Sequence, residues 1–351
     1  MRVLIGEISS YKAIVIARYI RQYYPKIELL AYDNNPLLQY IHSRYVDDCT
    51  YILSTSLKEY IEKLADHVRN NNVDIFIPVH SDYIGTILQH KHLFGRALDY
   101  LGTYSDYIRL HEKDQLMQLA RSLQIRTPKE YALLTDAQIP FVLKPTNLSS
   151  AKGIKYIKTN KDKINLSSIP KGLICQEYIQ GQGCGYEVYC QNGNIVTEYG
   201  HLRLAEWPIT GGSSVLRTGY IHPDMRPIAE QILSCVPWTG FAMFEFKLTQ
   251  DNQLVLIEVN PRIWGSINQA LQNECPLFSA IFGEPKLKLK QSSNIRTSLF
   301  PQVWLAMLLY TCKGKAKIMK DYLAHLCVTK SDVSFLKDPL GVISIIIRKL
   351  L

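Results

Sequence analysis

The chain has 351 residues, 47% hydrophobic and 20% charged, with a formal net charge of +9. That length allows two or three packed units with a sizeable core, and the composition excludes disordered, collagen-like and disulfide-dense classes. The excess positive charge fits an anionic ligand or nucleic acid equally well and does not choose between them.

Further exclusions follow from local patterns. The longest late apolar run, "GVISIII" at 341–347, is far short of the roughly 20 residues a membrane helix needs, so no transmembrane segment is expected. "RVLIG" at the start is too short for a signal sequence and reads as a strand. The eight cysteines (49, 175, 184, 190, 235, 275, 312 and 327) show no CxxC and no zinc-type spacing. Reduced thiols and a cytoplasmic location are expected. "KLKLK" (286–290) and "CKGKAKIMK" (312–320) are dense basic runs without aromatic interleaving, and no nucleic-acid partner is expected. A homodimer is the default assembly.

In chain order, residues 2–6 read as a strand, 13–24 as a helix, 27–33 as a strand, 56–70 as a helix and 73–79 as a strand. This alternation predicts a small open parallel sheet. After the first strand the chain reads "GEISSYKA", with one glycine where a dinucleotide fingerprint needs three. A Rossmann-like shape without dinucleotide binding is expected. Residues 113–123, "KDQLMQLARSL", form an amphipathic helix. From 141 short strands broken by Gly, Asn and Ser follow, interrupted by one helix at about 224–235. "GFAMFEFKL" (240–248) and "LVLIEVN" (254–260) read as a hairpin, and 263–351 as largely helical. The fold class is therefore α/β and α+β.

The hairpin concentrates chemistry. Its short loop sets Glu245 opposite or diagonal to Glu258, roughly 5 Å away, and Asn260 shares the face of Glu258. Like charges so placed need a cation or proton between them. Two carboxylates and an amide oxygen suit Mg²⁺; an ion pair of one Glu with Arg262 or Lys247 is the bland alternative. Lys144 ends the strand "FVLK" and precedes the loop "TNLSSAKG" (146–153), whose backbone and hydroxyls suit phosphate oxygens. Lys113 opens a helix, whose N-terminus acts on the same anion. In "LICQEYIQG" (173–181) the backbone after the strand offers a donor and acceptor to an adenine edge.

The order of these pieces resembles the ATP-grasp superfamily over roughly 110–270. The stretch "HLRLAEWPITGGSSVLR" (201–217) followed by "IEVNPRIWGS" resembles its carboxylate–amine ligase branch, with the carbamoyl-phosphate-synthase-like fold. The resemblance implies a Rossmann-like companion domain at 1–110 and a two-lobed ATP-grasp domain at 111–280. The lobes are about 125–180 and about 181–280, and a mostly helical extension occupies 281–351. It implies ATP held by Lys113, Lys144, Ser149, Ser150 and Gly153 at the phosphates and by Glu177, Tyr178 and Ile179 at the adenine. Glu187 stands in for the ribose contact, because Gln182 and Cys184 occupy the positions where an acidic residue belongs. Glu245, Glu258 and Asn260 match Mg²⁺ ligands, with Mn²⁺ as the alternative ion. Arg262, Arg203 and Lys144 are the catalytic candidates, and the turn at 210–214 lies near phosphate or substrate. The implied reaction activates a carboxylate as an acyl phosphate and joins it to an amine, releasing ADP and phosphate. Phosphoryl transfer without ligation and a non-catalytic nucleotide- or anion-binding protein are the rivals. His80, Asp82, Ser213 and Ser214 are further candidates for the substrate rim.

Overall fold

The apolar runs of the first hundred residues pair side by side in parallel. β1 (Arg2–Gly6) lies between β2 (Glu28–Asp33) and β4 (Ile75–Ile77), and β3 (Asp48–Tyr51) adds to the outer edge of β2. Val3, Leu4 and Ile5 are wholly buried, as the central strand of a sheet covered on both faces must be. The Tyr11–Tyr23 and Leu57–Asn70 helices make the crossovers. Each opens on a serine hydroxyl that accepts a first-turn N–H: Ser10 from Ala13 and Ser56 from Glu59, both at 3.2 Å. β3 has no counterpart among the expected strands, because "DCTY" carries no hydrophobic period and is recruited by its neighbour.

The computed structural model of the chain describes residues 1–146, 153–164, 168–209, 211–285 and 295–350. A second, antiparallel sheet has the order β5 (Glu130–Tyr131), β8 (Leu173–Glu177), β6 (Phe141–Pro145), β7 (Lys155–Ile157). Tyr131, Phe141, Leu143, Ile157 and Cys175 close its own small core. The third sheet is built on β9 (Gln182–Gln191), β10 (Asn194–Trp207), β11 (Ser213–Gly219), β12 (Gly240–Leu248) and β13 (Leu254–Asn260). Two short strands from the C-terminal region, β14 (Arg296–Ser298) and β15 (Thr329–Ser331), complete the order β13-β12-β9-β10-β11-β14-β15. The expected hairpin is β12 and β13, and the helix expected at about 224–235 is Met225–Cys235.

The C-terminal region is mostly helical, with helices at Gln302–Cys312, Ala316–Ala324 and Pro339–Leu350. It is nevertheless woven into the body rather than appended. "RTS" and "TKS" are too short and too polar to read as strands, and an ion pair holds them in place. Arg217 on β11 and Asp332 after β15 are both fully buried and bonded to each other. Arg217 also donates to Thr297 on β14 at 2.8 Å, and Asn268 donates to Asp332 at 2.8 Å. Arg18, on the first crossover helix, binds the Asp332 carbonyl at 3.0 Å. The Pro339–Leu350 helix returns to the first sheet, where Arg348 bonds Glu7 and Ser9.

A buried ion pair loses about 3–5 kcal/mol when one partner is removed, because the other is left as an uncompensated charge. Asp332→Ala is therefore expected to lower the urea midpoint of unfolding by an equivalent amount. Lys58→Ala, which breaks an exposed helix pair with Glu62, is expected to cost less than about 1 kcal/mol.

Candidate active site

β12 and β13 pair so that Glu245 stands directly opposite Glu258, and a register shift follows between Glu245 and Phe246. Phe246 pairs with Leu256, which leaves Ile257 as the extra residue of a bulge on β13. The Ile257 carbonyl, freed from the ladder, accepts a bond from Lys144 Nζ at 3.4 Å. Glu258 and Asn260 share a face, as the two-residue period requires. The Asn260 amide nitrogen donates to both carboxylates, at 3.0 Å to Glu245 and 3.1 Å to Glu258.

Cations converge on this pair from separate elements. Lys113 is 3.2 Å from Glu258; it opens the Lys113–Ser122 helix, and its backbone N–H is tied to the Thr146 carbonyl at 3.1 Å. That bond sets the helix N-terminus beside the end of β6, where Lys144 stands. Arg203 on β10 bonds Glu245 and lies 3.5 Å from Glu206. It crosses β9 to do so, over Gly183, where an added Cβ would lie 2.8 Å from Arg203 Cδ. Arg262 donates to the Asn260 side-chain oxygen at 2.7 Å and to the Ile263 carbonyl at 3.0 Å.

The electrostatics follow from burial and these neighbours. Burial pushes the Glu245 carboxyl up, aided by the Glu258 charge and opposed by Arg203. Burial acts upward on Glu258 too, but Lys113 and Lys144 outweigh it and hold the carboxyl well below the usual carboxylate range. Burial lowers the Lys144 ammonium to about 8, with repulsion from Lys113 adding to it.

All of these side chains except Lys113, which stands behind Glu258, line a cavity of about 670 Å³ between the second and third sheets. Lys144, Glu177, Tyr178, Ile179, Arg203, Glu245, Glu258, Asn260 and Arg262 all border it, as do Gly211, Gly212, Ser213 and Ser214 of the expected turn. Glu177 turns its carboxylate to the Lys129 N–H at 3.2 Å. Gly153, at φ +72°, leads into β7, and Ile154 and Tyr156 of that segment reach the wall. Ser149, Ser150 and Thr210 lie outside the described residues.

Glu187 must be reassigned. It is wholly buried within β9, 2.9 Å from His201 and accepting from Ser266 at 3.0 Å. A ribose hydroxyl in the cavity has no path to it. His80 faces Glu7 at 3.7 Å, while Ser81 beside it lines the cavity. Tyr11, Lys12 and the C-terminal residues Tyr310, Lys313 and Lys315 also border the cavity without having been singled out. For Lys12 a signal existed: it follows the carboxyl end of a parallel strand, where ligands gather in open sheets.

A bound cation is compatible with this arrangement. Among the described residues no group of three or more His, Cys, Asp or Glu is placed to hold a metal. Two carboxylates and one amide are the hard-oxygen set that Mg²⁺ combines with phosphate oxygens. With the Asn260 nitrogen toward the carboxylates and its oxygen toward Arg262, ligation through that oxygen requires the amide to turn over.

Comparison with known proteins agrees with this geometry. Residues 110–266 match the ATP-grasp domain family. In sequence the chain is 26% identical over 163 residues to the D-alanine–D-alanine ligase of Fusobacterium nucleatum, a match covering 42% of this chain and 55% of that protein. The chain thus spans about half the length of the curated relative it matches. In structure it resembles the L-amino acid ligase of Bacillus licheniformis (TM-score 0.55, 16% identity, 78% of this chain and 70% of that one). It also resembles the biotin carboxylase domain of Hydrogenobacter thermophilus 2-oxoglutarate carboxylase, a dimer crystallised with MgADP, ADP and bicarbonate (TM-score 0.56, 14% identity, 75% of this chain and 64% of that one). Over residues 110–266 the chain is thus similar to an ATP-grasp domain.

Proposed function

We propose that the protein is an ATP- and Mg²⁺-dependent ligase that activates a carboxylate as an acyl phosphate and joins it to an amine. The observation that carries this reading is the register pair of Glu245 and Glu258, with Asn260 between them and Lys113, Lys144, Arg203 and Arg262 around them. Likeness to a D-alanine–D-alanine ligase and to an L-amino acid ligase supports it. A small-molecule carboxylate and a small-molecule amine are the substrates.

A carboxylate is a poor electrophile, and phosphorylation supplies a leaving group. Its oxygen bonds to the γ-phosphorus of ATP as the bond to ADP breaks; the amine nitrogen then attacks the acyl carbon, phosphate leaves and the nitrogen loses a proton. Lys113 and Lys144 hold phosphate oxygens, and Arg262 steadies the transferring group. Arg203 fixes the rotamer of Glu245. Mg²⁺, held by Glu245, Glu258 and Asn260, supplies charge neutralisation at the phosphates, and Mn²⁺ suits the same oxygens. Preorganised charge and orientation are the terms that govern phosphoryl transfer. The backbone after β8 at Glu177, Tyr178 and Ile179 borders the adenine end, and Gly153 closes the phosphate loop.

An ADP-release screen over carboxylates paired with amines, with mass detection of product, tests this reading. Amide stoichiometric with ADP is expected. ADP with a phosphorylated acceptor and no amide would instead mark a phosphotransferase, and nucleotide binding without turnover a binding protein. Glu258→Gln is expected to lower ADP release by about 100-fold or more; full activity in that variant overturns the metal assignment.

The depressed Lys144 ammonium adds a pH dependence. Phosphate oxygens favour the protonated form, which the ligand-free protein loses as pH rises through about 8. Affinity for MgADP, measured calorimetrically, is expected to fall between pH 7 and pH 9. Lys144→Arg stays charged throughout that range and is expected to flatten the profile.

A further inference from the structure

Part of the cavity wall lies outside the residues assigned to the nucleotide. Tyr11, Lys12 and Ser81 border the cavity there, and all three come from the first sheet rather than from residues 110–266. Tyr11 and Lys12 open the 13-residue Tyr11–Tyr23 helix that follows β1, and Ser81 follows β4. β1 and β4 are neighbours, so this is the carboxyl edge of a parallel sheet, facing the cavity with a helix N-terminus. Tyr11 packs against the segment after β13: an added Cβ on Gly265 would lie 2.8 Å from its hydroxyl.

The groups here are built for an anion. Lys12 Nζ donates to the Val79 carbonyl at 2.7 Å and to Ser81 Oγ at 3.3 Å, both neutral oxygens, and an ammonium has a third N–H. Arg262 is 8% exposed, and its buried Nε has no hydrogen-bond partner among the described residues. An orphaned guanidinium N–H in a cavity wall is costly unless a ligand completes it. Burial lowers the Lys12 ammonium to about 7, and the charge of Arg262 adds to the depression. Glu7 and Asp82 oppose it, and Arg348 reinforces it while engaging Glu7. A half-buried ammonium and a buried guanidinium that repel each other across one cavity wall favour a negative charge between them.

We propose that this end of the cavity binds the carboxylate substrate, its acid group held by the Lys12 ammonium, the Ser81 hydroxyl and the Arg262 Nε–H. The proposal rests on the reading that ATP occupies the rest of the cavity. Arg262 then stands between the two anions, touching Asn260 on one side and the substrate acid on the other. Lys12 neutralises the acid group that must approach a triphosphate, and the substrate class is a small molecule entering acid end first, beside the first sheet.

Carbon-13 acetate, as the minimal carboxylate, is titrated by NMR into the full chain with and without MgADP. Acetate is expected to bind the unmodified protein, to bind Lys12→Met about 10- to 100-fold more weakly, and to recover with Lys12→Arg. MgADP affinity is expected to be the same in all three. Unchanged acetate affinity in Lys12→Met overturns the proposal, as does binding of inorganic phosphate in place of acetate, or no acetate binding at all. Should Lys12→Met lose MgADP as well, Ser81→Ala, which removes only a hydroxyl, decides: weakened acetate binding supports the proposal and unchanged binding overturns it. Failure of the unmodified protein to bind MgADP, with the acetate result intact, would count against the nucleotide reading alone.

Discussion

The site is organised around the repulsion between two carboxylates. Glu245 and Glu258 face each other across one rung of an antiparallel pair, a separation that costs about 3 kcal/mol between unit charges at the effective dielectric of a protein interior. No charge in the strands themselves relieves it. Within the hairpin only the Asn260 amide, two residues on, bridges the pair; the charges that relieve it come from outside, Lys113 from a helix start, Lys144 from the end of β6 and Arg203 from across β9. The placement of these elements is thus tied to one unfavourable pair. Lys12, Lys144, Lys158, Arg203, Lys247, Arg262, Lys313 and Lys315 against Glu177, Glu206, Glu245 and Glu258 leave positive charge in excess around the cavity, which a polyphosphate matches.

The scaffold achieves this with local devices. A bulge at Ile257 turns a carbonyl out of the ladder toward Lys144. Gly183 keeps β9 low enough for Arg203 to pass over it, and Gly185 does the same for His201, whose Cε1 lies 2.5 Å from where a Cβ would be. His201 thereby reaches Glu187, so the polar row continues beneath the cavity floor through Ser266. The C-terminal region closes the far wall, anchored by Tyr310, whose hydroxyl accepts the Glu206 N–H at 3.3 Å.

What was legible in the sequence was what depends on local period. β12 and β13 are long and apolar, so their bounds follow from the sequence, which left Glu245 opposite or diagonal to Glu258; the register sets them opposite, beside the bulge at Ile257. The helix at Lys113 and the strand ending at Lys144 are legible for the same reason. Contacts between distant segments were not. Arg203 meets Glu245 across an intervening strand, and Glu187 points into a polar row whose members come from β9, β10 and the segment after β13. Neither has a signature in spacing. β14 and β15 are held by side-chain bonds to a buried arginine rather than by hydrophobic alternation, so a helical reading of that region overlooked them. Lys12 lies in the stretch "GEISSYKA", which was read only for the glycines it lacked.

Asn260 joins the two halves of the cavity. Its nitrogen faces both carboxylates, and its oxygen accepts from Arg262. An amide has one donor end and one acceptor end, so it cannot offer oxygen to a cation between the carboxylates while keeping oxygen on Arg262. Turning the amide over releases Arg262 Nη2 and leaves the guanidinium with two unmet N–H groups, Nη2 and the already orphaned Nε. Each favours an anion in the cavity over the cost of a buried unsatisfied donor, about 1–3 kcal/mol. Cation occupancy at the carboxylates and anion occupancy beside Arg262 are therefore mutually reinforcing, and by linkage each raises the affinity for the other by the same factor.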